Sequence, residues 1–396
     1  MSWPFVKLEQ ICSRIDYGLT ASAISKDDGP RFLRITDIQD DSVDWSSVPS
    51  CECSLKELKD YRLEIGDIVF ARTGATTGKS YLIKELDSES VFASYLIRIR
   101  PNQKVDPLYL SYFFKSSKYW TQIAKMANGV AQPGINSTKL KDLEIPLPPL
   151  EEQHYVAAIL DKVDGIRLKR KYAVKLADDF LRAAFLAIFG DPVENPKGWD
   201  VASLLEYGSF KNGMNFTKGE SGSVLKCLGV GDFKSLATIT CMDNIGEIEL
   251  NTPPSADYLL NDGDIVFVRS NGNKALVGRC LTIYPGKEKV TFSGFCIRYR
   301  IEKSAIKPEY LNFLFRTPSM KQQMLSGGQG ANIQNISQGT LSALMIPVPP
   351  LEKQLTFSKI VSFHSALMKK LYVKTVKAED MFGSISQQYF NQSDDY

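Results

Sequence analysis

IPLPPLEEQ, Ile145 to Gln153, returns 201 residues later as IPVPPLEKQ, Ile346 to Gln354. Proline is tolerated at a helix start but disfavours helix in the residue before it, so each double proline marks the point where a helix can begin. Downstream of the first copy, Val156, Ile159, Val163, Ile166, Arg170, Ala173, Ala177, Phe180 and Ala184 are spaced alternately three and four residues apart. Downstream of the second, Phe357, Ile360, His364, Leu367, Leu371, Lys374, Ala378, Met381 and Ile385 repeat that spacing. A seam of this kind held over four heptads predicts a coiled coil rather than a loose amphipathic helix. The first helix is expected to stop at Phe189-Gly190-Asp191-Pro192, a glycine stop followed by proline, and the second at Phe390-Asn391.

Upstream, the duplication continues. GDIVFARTG (66–74) matches GDIVFVRSNG (263–272), SYLIRIRP matches GFCIRYRI, and DPLYLSYFF matches KPEYLNFLF. A period of about 200 residues is a duplicated domain with its connector, not a solenoid built from units of roughly 20–50 residues. Short β-branched and aromatic runs bounded by Gly, Asp or Asn alternate with aromatic-faced helical stretches, which predicts an α+β domain. The expected order is an α+β domain at 1–147, a helix at 148–190, a second α+β domain at 191–348, a helix at 349–390 and a tail at 391–396. Forty helical residues span about 60 Å. The obvious partner for each seam is the other helix. Antiparallel pairing would return the second helix toward the first domain and give a spacer with a pseudo-two-fold axis.

The 396 residues suit more than one core, and 43% apolar with 23% charged residues describes a globular chain. A net charge of +3 confines any nucleic-acid surface to local patches. No apolar run is long enough for a membrane helix. The N-terminus lacks the basic-then-apolar pattern of a signal peptide, which leads us to expect the cytoplasm. Seven irregularly spaced cysteines and two histidines form no zinc spacing, so no metal is expected and the thiols read as reduced and structural.

The stretch FARTGATTGKSYL (70–82) ends like a phosphate-binding loop, with Gly78-Lys79-Ser80, yet Thr73 stands where the leading glycine belongs. The counterpart FVRSNGNKALVGRCL keeps the strand, the arginine and the turn but abandons that spacing. The pair therefore predicts strand, turn, strand, presenting side chains to a polyanion other than ATP. Lys and Arg serve phosphates, while Arg, Asn and Gln can read purine edges. The candidates in the first copy are Arg72, Thr73, Gly74 and Lys79, with Asn128, Gln132 and Asn136 in the amide-rich loop before the PPL motif. In the second they are Arg269, Ser270, Asn271, Asn273, Lys274 and Arg279, with Gln329, Asn332, Gln334 and Asn335. A solvated turn is the plain alternative for any one of them.

Two variable α+β halves, each closed by IPxPPLExQ and a long helix, resemble the specificity subunit of type I restriction–modification systems. The motif residues are Ile145, Pro146, Pro148, Pro149, Leu150, Glu151 and Gln153, and Ile346, Pro347, Pro349, Pro350, Leu351, Glu352 and Gln354. The resemblance implies a non-catalytic protein with two target-recognition domains, each reading one half of a bipartite DNA target. It implies helices that fix the spacing and bind two adenine-methylating modification subunits, with restriction subunits joining them. It implies no cofactor in this chain, with S-adenosylmethionine, ATP and Mg on the partner subunits. A standalone adenine methyltransferase would need an [ND]-P-P-[YF] loop, and the nearest string is Asn251-Thr252-Pro253-Pro254-Ser255. A scaffold that reads no DNA would not need two different turns on similar frames.

Overall fold

Each double proline follows a short strand that fastens the end of a domain to its beginning. Glu144–Pro146 pairs antiparallel with Phe5–Lys7, Val6 opposite Ile145. Met345–Pro347 pairs in the same way with Val201–Ser203, Ala202 opposite Ile346. The helices α1 (Leu150–Phe189) and α2 (Leu351–Phe390) begin four residues later. A computed structural model of the chain describes residues 3–25, 29–127, 134–217, 221–233, 237–326 and 335–390. It divides into two compact units: one runs to Lys171 and resumes at Val373, and the other is Tyr172–Tyr372.

In the first unit the main sheet is β1 (Cys12–Tyr17), β2 (Ile68–Ala71), β3 (Ser80–Leu82) and β4 (Leu96–Pro101), in the order β1-β4-β2-β3 and antiparallel throughout. All four residues of β2 are buried, which explains why IVFA is continuously apolar rather than alternating. On one face Ile68, Phe70, Ile97 and Ile99 pack with Tyr109, Tyr112 and Phe113 and with Val156 and Leu160 of α1. On the other, Val69, Tyr81 and Leu96 pack with Leu33, Trp45 and Phe92. The end of α2 completes the first core: Phe390 lies 5.5 Å from Tyr109 and Trp3 stacks on Tyr389 at 6.3 Å between ring centres. Arg167 donates to Glu379 at 3.3 Å. Since position 167 meets 379 while the start of α1 shares its core with Phe390, the two helix segments of this unit run in opposite directions.

The second unit repeats the plan with β5 (Gly208–Asn212), β6 (Asp264–Val268), β7 (Cys280–Ile283) and β8 (Cys296–Ile301), in the order β5-β8-β6-β7. A further strand, Thr238–Ile239, lies parallel to β7. Its core joins Ile265, Phe267, Ile297 and Tyr299 to Tyr310 and Leu314, and to Leu181, Phe185, Phe189 and Phe357 of the helices. Phe185 and Phe357 meet edge-to-face at 5.4 Å, and His364 Nε2 lies 3.2 Å from Asp178 Oδ1 without hydrogen-bond alignment. Each such aromatic, fully buried, contributes about 1.5–3 kcal/mol.

The buried stripe on the helices departs from the heptad seam. On α1 its buried residues include Val156, Leu160 and Val163 at one end and Leu181, Phe185 and Phe189 at the other, while Arg167, Arg170, Ala173, Val174, Ala177 and Asp178 between them are half-buried. On α2 it runs from Phe357 and Val361 to Phe382 and Phe390. Phe180 and Met381, expected in the seam, point outward at 59% and 50% exposed, and Ile166 and Leu367 are exposed too. The cause is local: Leu181, Phe185 and Phe382 are apolar neighbours that reach the aromatic residues of the domains, and the stripe follows them.

Candidate nucleic-acid interface

In the first unit the chain leaves β2 at Ala71, turns through a 3-10 segment at Gly74–Thr76 and returns as β3. Ala71 N donates to Lys79 O at 2.8 Å and Gly78 N donates to Ala71 O at 2.9 Å, closing the turn. Gly78 has φ +85°, and a Cβ there would meet Ile123, Trp120 and Ile135 at 3.1–3.3 Å, so this glycine is required by both backbone and space. Gly74 also has positive φ, +81°, but faces open space. Gly78-Lys79-Ser80 leads into a strand rather than a helix, so it offers no helix N-terminus to a nucleotide phosphate. Lys79 is exposed, and Arg72 and Thr73 are half-buried.

The peptide of Arg72 joins three loops. Its N–H donates to Tyr95 O at 3.1 Å, and its C=O accepts from Ile135 N at 3.0 Å. Thr73 makes a β-bridge with Gly134. The turn, the residues before Asn136 and the tight turn at Tyr95 therefore meet at one backbone position. Asn136 caps the short helix Ser137–Lys141, its Oδ1 accepting from Lys139 N at 2.8 Å, so its side chain is committed to the fold. The Arg72 guanidinium lies over the Tyr17 ring at 4.8 Å, and the Tyr17 hydroxyl accepts from Ser137 N at 3.1 Å.

The second unit has the same junction with other side chains. Arg269 N donates to Phe295 O at 2.8 Å, Arg269 O accepts from Ile336 N at 3.0 Å, and Ser270 bridges Asn335. Asn271 Oδ1 accepts from Asn273 N at 2.8 Å, and Asn273 Oδ1 accepts from Ala275 N at 3.0 Å, so both amides shape the turn. Arg269, Asn273, Lys274 and Arg279 are exposed, and Arg279 Nε donates to Ala275 O at 3.3 Å. Ser270, Asn271, Gly272, Val230 and Phe295 line an open depression of about 440 Å³. Where Tyr17 faces Ile97 in the first sheet, Asn212 faces Ile297 in the second. Asn128, Gln132, Gln329, Asn332 and Gln334 lie outside the described residues.

The PPLExQ motif divides between inside and outside. Gln153 is fully buried; its Oε1 accepts from Asp106 N at 2.9 Å and its Nε2 donates to Pro148 O at 2.8 Å. Gln354 repeats this with Lys307 N at 2.8 Å and Pro349 O at 2.8 Å. Pro148 and Pro349 are buried with them, while Pro149, Leu150, Glu151, Pro350, Leu351 and Glu352 are exposed. The two glutamines are thus clamps between helix and domain, and only the outward residues offer a surface.

Tyr17, Tyr95 and Phe295 were not singled out from the sequence. The signal for the last two was present: an aromatic holds matching places in SYLIRIRP and GFCIRYRI.

A duplicated α+β frame that carries two dissimilar polar, cationic turns on identical backbone junctions defines a two-domain recognition protein. The chain belongs to the type I restriction modification DNA specificity domain family, which matches residues 2–176 and 199–375. It is a DNA-specificity component of a restriction–modification system and not its catalytic one. It is 28% identical over 385 residues to the type I restriction enzyme MjaX specificity subunit of Methanocaldococcus jannaschii, covering 90% of this chain and 85% of that one. It is 25% identical over 347 residues to the type I restriction enzyme EcoKI specificity subunit of Escherichia coli, covering 83% and 74%. The crystal structure of a type I restriction–modification S subunit from M. genitalium superposes with a TM-score of 0.56 at 14% identity, covering 98% and 96%; that likeness is one of fold. Among the described residues no helix is long and apolar enough to cross a membrane.

Proposed function

We propose that each α+β domain, 1–147 and 191–348, reads one half of a bipartite double-stranded DNA target, and that the two half-sites differ. The observation that carries this is the shared junction at Arg72 and Arg269: one backbone arrangement holds different side chains, Thr73, Gly74 and Lys79 in one copy and Ser270, Asn271, Asn273 and Lys274 in the other. A conserved frame with exchanged side chains is what independent half-site readers need, because phosphate contacts position a protein while groove contacts specify sequence.

The segments 148–190 and 349–390 serve as an antiparallel helical pair with pseudo-two-fold symmetry that sets the spacing between half-sites, as protein geometry does for other two-part DNA sites. Opposed pairings within each unit, Arg167 with Glu379 and Asp178 with His364, support this reading. The outward residues Leu150, Glu151, Leu351 and Glu352 belong to the surface for two adenine-methylating modification subunits, through which restriction subunits join. S-adenosylmethionine, ATP and Mg belong to those partners, and the complex works in the cytoplasm. Methylome sequencing of a host carrying this chain with its methyltransferase tests the reading. A single bipartite adenine-methylated motif is expected, and the absence of any motif contradicts it.

A further inference from the structure

Each unit holds one aromatic ring in solvent at the tip of a rigid turn, beside the cationic turn. Tyr95 is 65% exposed and Phe295 is 61% exposed. The turns that carry them are tied on several sides. Leu96 N donates to Ala93 O at 2.8 Å and Ser94 N to Leu19 O at 2.9 Å; Cys296 N donates to Ser293 O and Gly294 N to Met214 O, both at 2.8 Å. Phe295 N also donates to Ser293 Oγ at 3.2 Å. The carbonyl of each aromatic residue accepts the N–H of the arginine that opens the cationic turn. The backbone that carries the ring is therefore held in place relative to Arg72 or Arg269.

A ring exposed to water in this way forgoes the stabilisation of burial, about 1.5–3 kcal/mol for a Phe. Around it the two copies differ freely, TGATTGKS against SNGNKALVGR, yet an aromatic stands at the tip both times. Phosphate does not explain it, because an aromatic ring offers an anion no donors beyond the Tyr hydroxyl, and Phe295 has none. Nucleobases do: a duplex leaves base edges open in its grooves, and a thymine methyl makes apolar contact with a ring such as Phe in the major groove. In the second unit Phe295 forms one side of the open depression whose other lining includes the polar Ser270 and Asn271. That combination of a flat apolar wall and polar edges suits a base and not a phosphate.

We infer that Tyr95 and Phe295 are base-contacting residues, each seated against a nucleobase of the half-site read by its own domain. This rests on the DNA-reading function proposed above. The test uses the chain assembled with its modification subunits. Tyr95→Ala, Tyr95→Phe and Phe295→Ala complexes are titrated against target DNA at several salt concentrations, and against DNA with one half-site scrambled. Tyr95→Ala should weaken target binding roughly 5- to 150-fold, the loss expected for one base contact in a specific duplex site. The salt slope should stay at the wild-type value, Tyr95→Phe should bind like wild type, and the penalty should vanish when the first domain's half-site is scrambled. Phe295→Ala should do the same for the other half-site. Unchanged binding, an equal loss on every sequence, or a smaller salt slope overturns the inference, as does a loss confined to subunit assembly. Failure of the wild-type complex to prefer its target would instead count against the function itself, so the two outcomes are separable.

Discussion

The side-chain carbonyl of Gln153 accepts the backbone N–H of Asp106 at 2.9 Å, and Asp106 in turn caps the helix Pro107–Phe113 by accepting from Tyr109 N at 2.7 Å. One buried amide thus links the start of α1 to the start of a domain helix. Replacing it with Ala leaves the N–H of Asp106 and the carbonyls of Pro148 and Lys104 without this partner, each costing about 1–3 kcal/mol where it is buried. Gln153→Ala should lower the thermal midpoint of the full chain by several degrees. Glu151→Ala, on the exposed side of the same turn, should leave it unchanged.

A second prediction concerns the buried cation of each sheet. Arg98, fully buried, donates from Nε and Nη2 to both carboxylate oxygens of Asp16, at 3.0 and 2.6 Å. At the matching register in the second unit Arg298 faces Lys211 instead, and burial pushes the Arg298 guanidinium below its ordinary range. Removing one member of a buried pair costs 3–5 kcal/mol, but Asp16 keeps about a third of its side chain in solvent. Asp16→Ala should therefore destabilise the first unit by about 2 kcal/mol in denaturant unfolding. Lys211→Asp should raise the midpoint of the second by supplying Arg298 with a carboxylate.

The helices and the duplication were readable because they rest on signals that survive without tertiary context: a double proline, a three-four spacing, a recurrence at 201 residues. The stripe's departure from the seam was not. Phe180 and Leu181 are both apolar, as are Ala184 and Phe185, and the choice between them is made by Tyr310 and Phe357, distant in sequence. The convergence of the cationic turn with Asn136 and Asn335 was equally hidden, because it is made by backbone hydrogen bonds that any residue can form. Tyr95 was hard to read as a surface residue because buried strands flank its turn, Ser90–Phe92 before and Leu96–Pro101 after.

Lys79 is exposed at the end of its turn, and under the proposed function it meets a phosphate. Lys79→Ala should weaken DNA binding by a similar factor on all sequences and reduce the salt slope by about one. A loss restricted to one half-site sequence would make Lys79 a base reader instead.

Burial pushes the thiols of Cys12, Cys227 and Cys280 up to about 12 and that of Cys51 up to about 11. A raised pKa keeps the thiol protonated, so at pH 8 the reactive thiolate is a negligible fraction. Cys241 is exposed. Iodoacetamide at pH 8, followed by peptide mass spectrometry, should label Cys241 in the folded chain and reach the four buried-side thiols only after unfolding. Early labelling of Cys227 or Cys280 would show that the second domain is more open than its packing indicates.

The most direct measurement exchanges residues 191–348 for the corresponding domain of a relative and maps methylated adenines in the host by sequencing. The expected result is a bipartite motif in which one half is new, the other half is the original, and the number of unread bases between them is unchanged. A motif that stays the same, or one that changes in both halves, contradicts it.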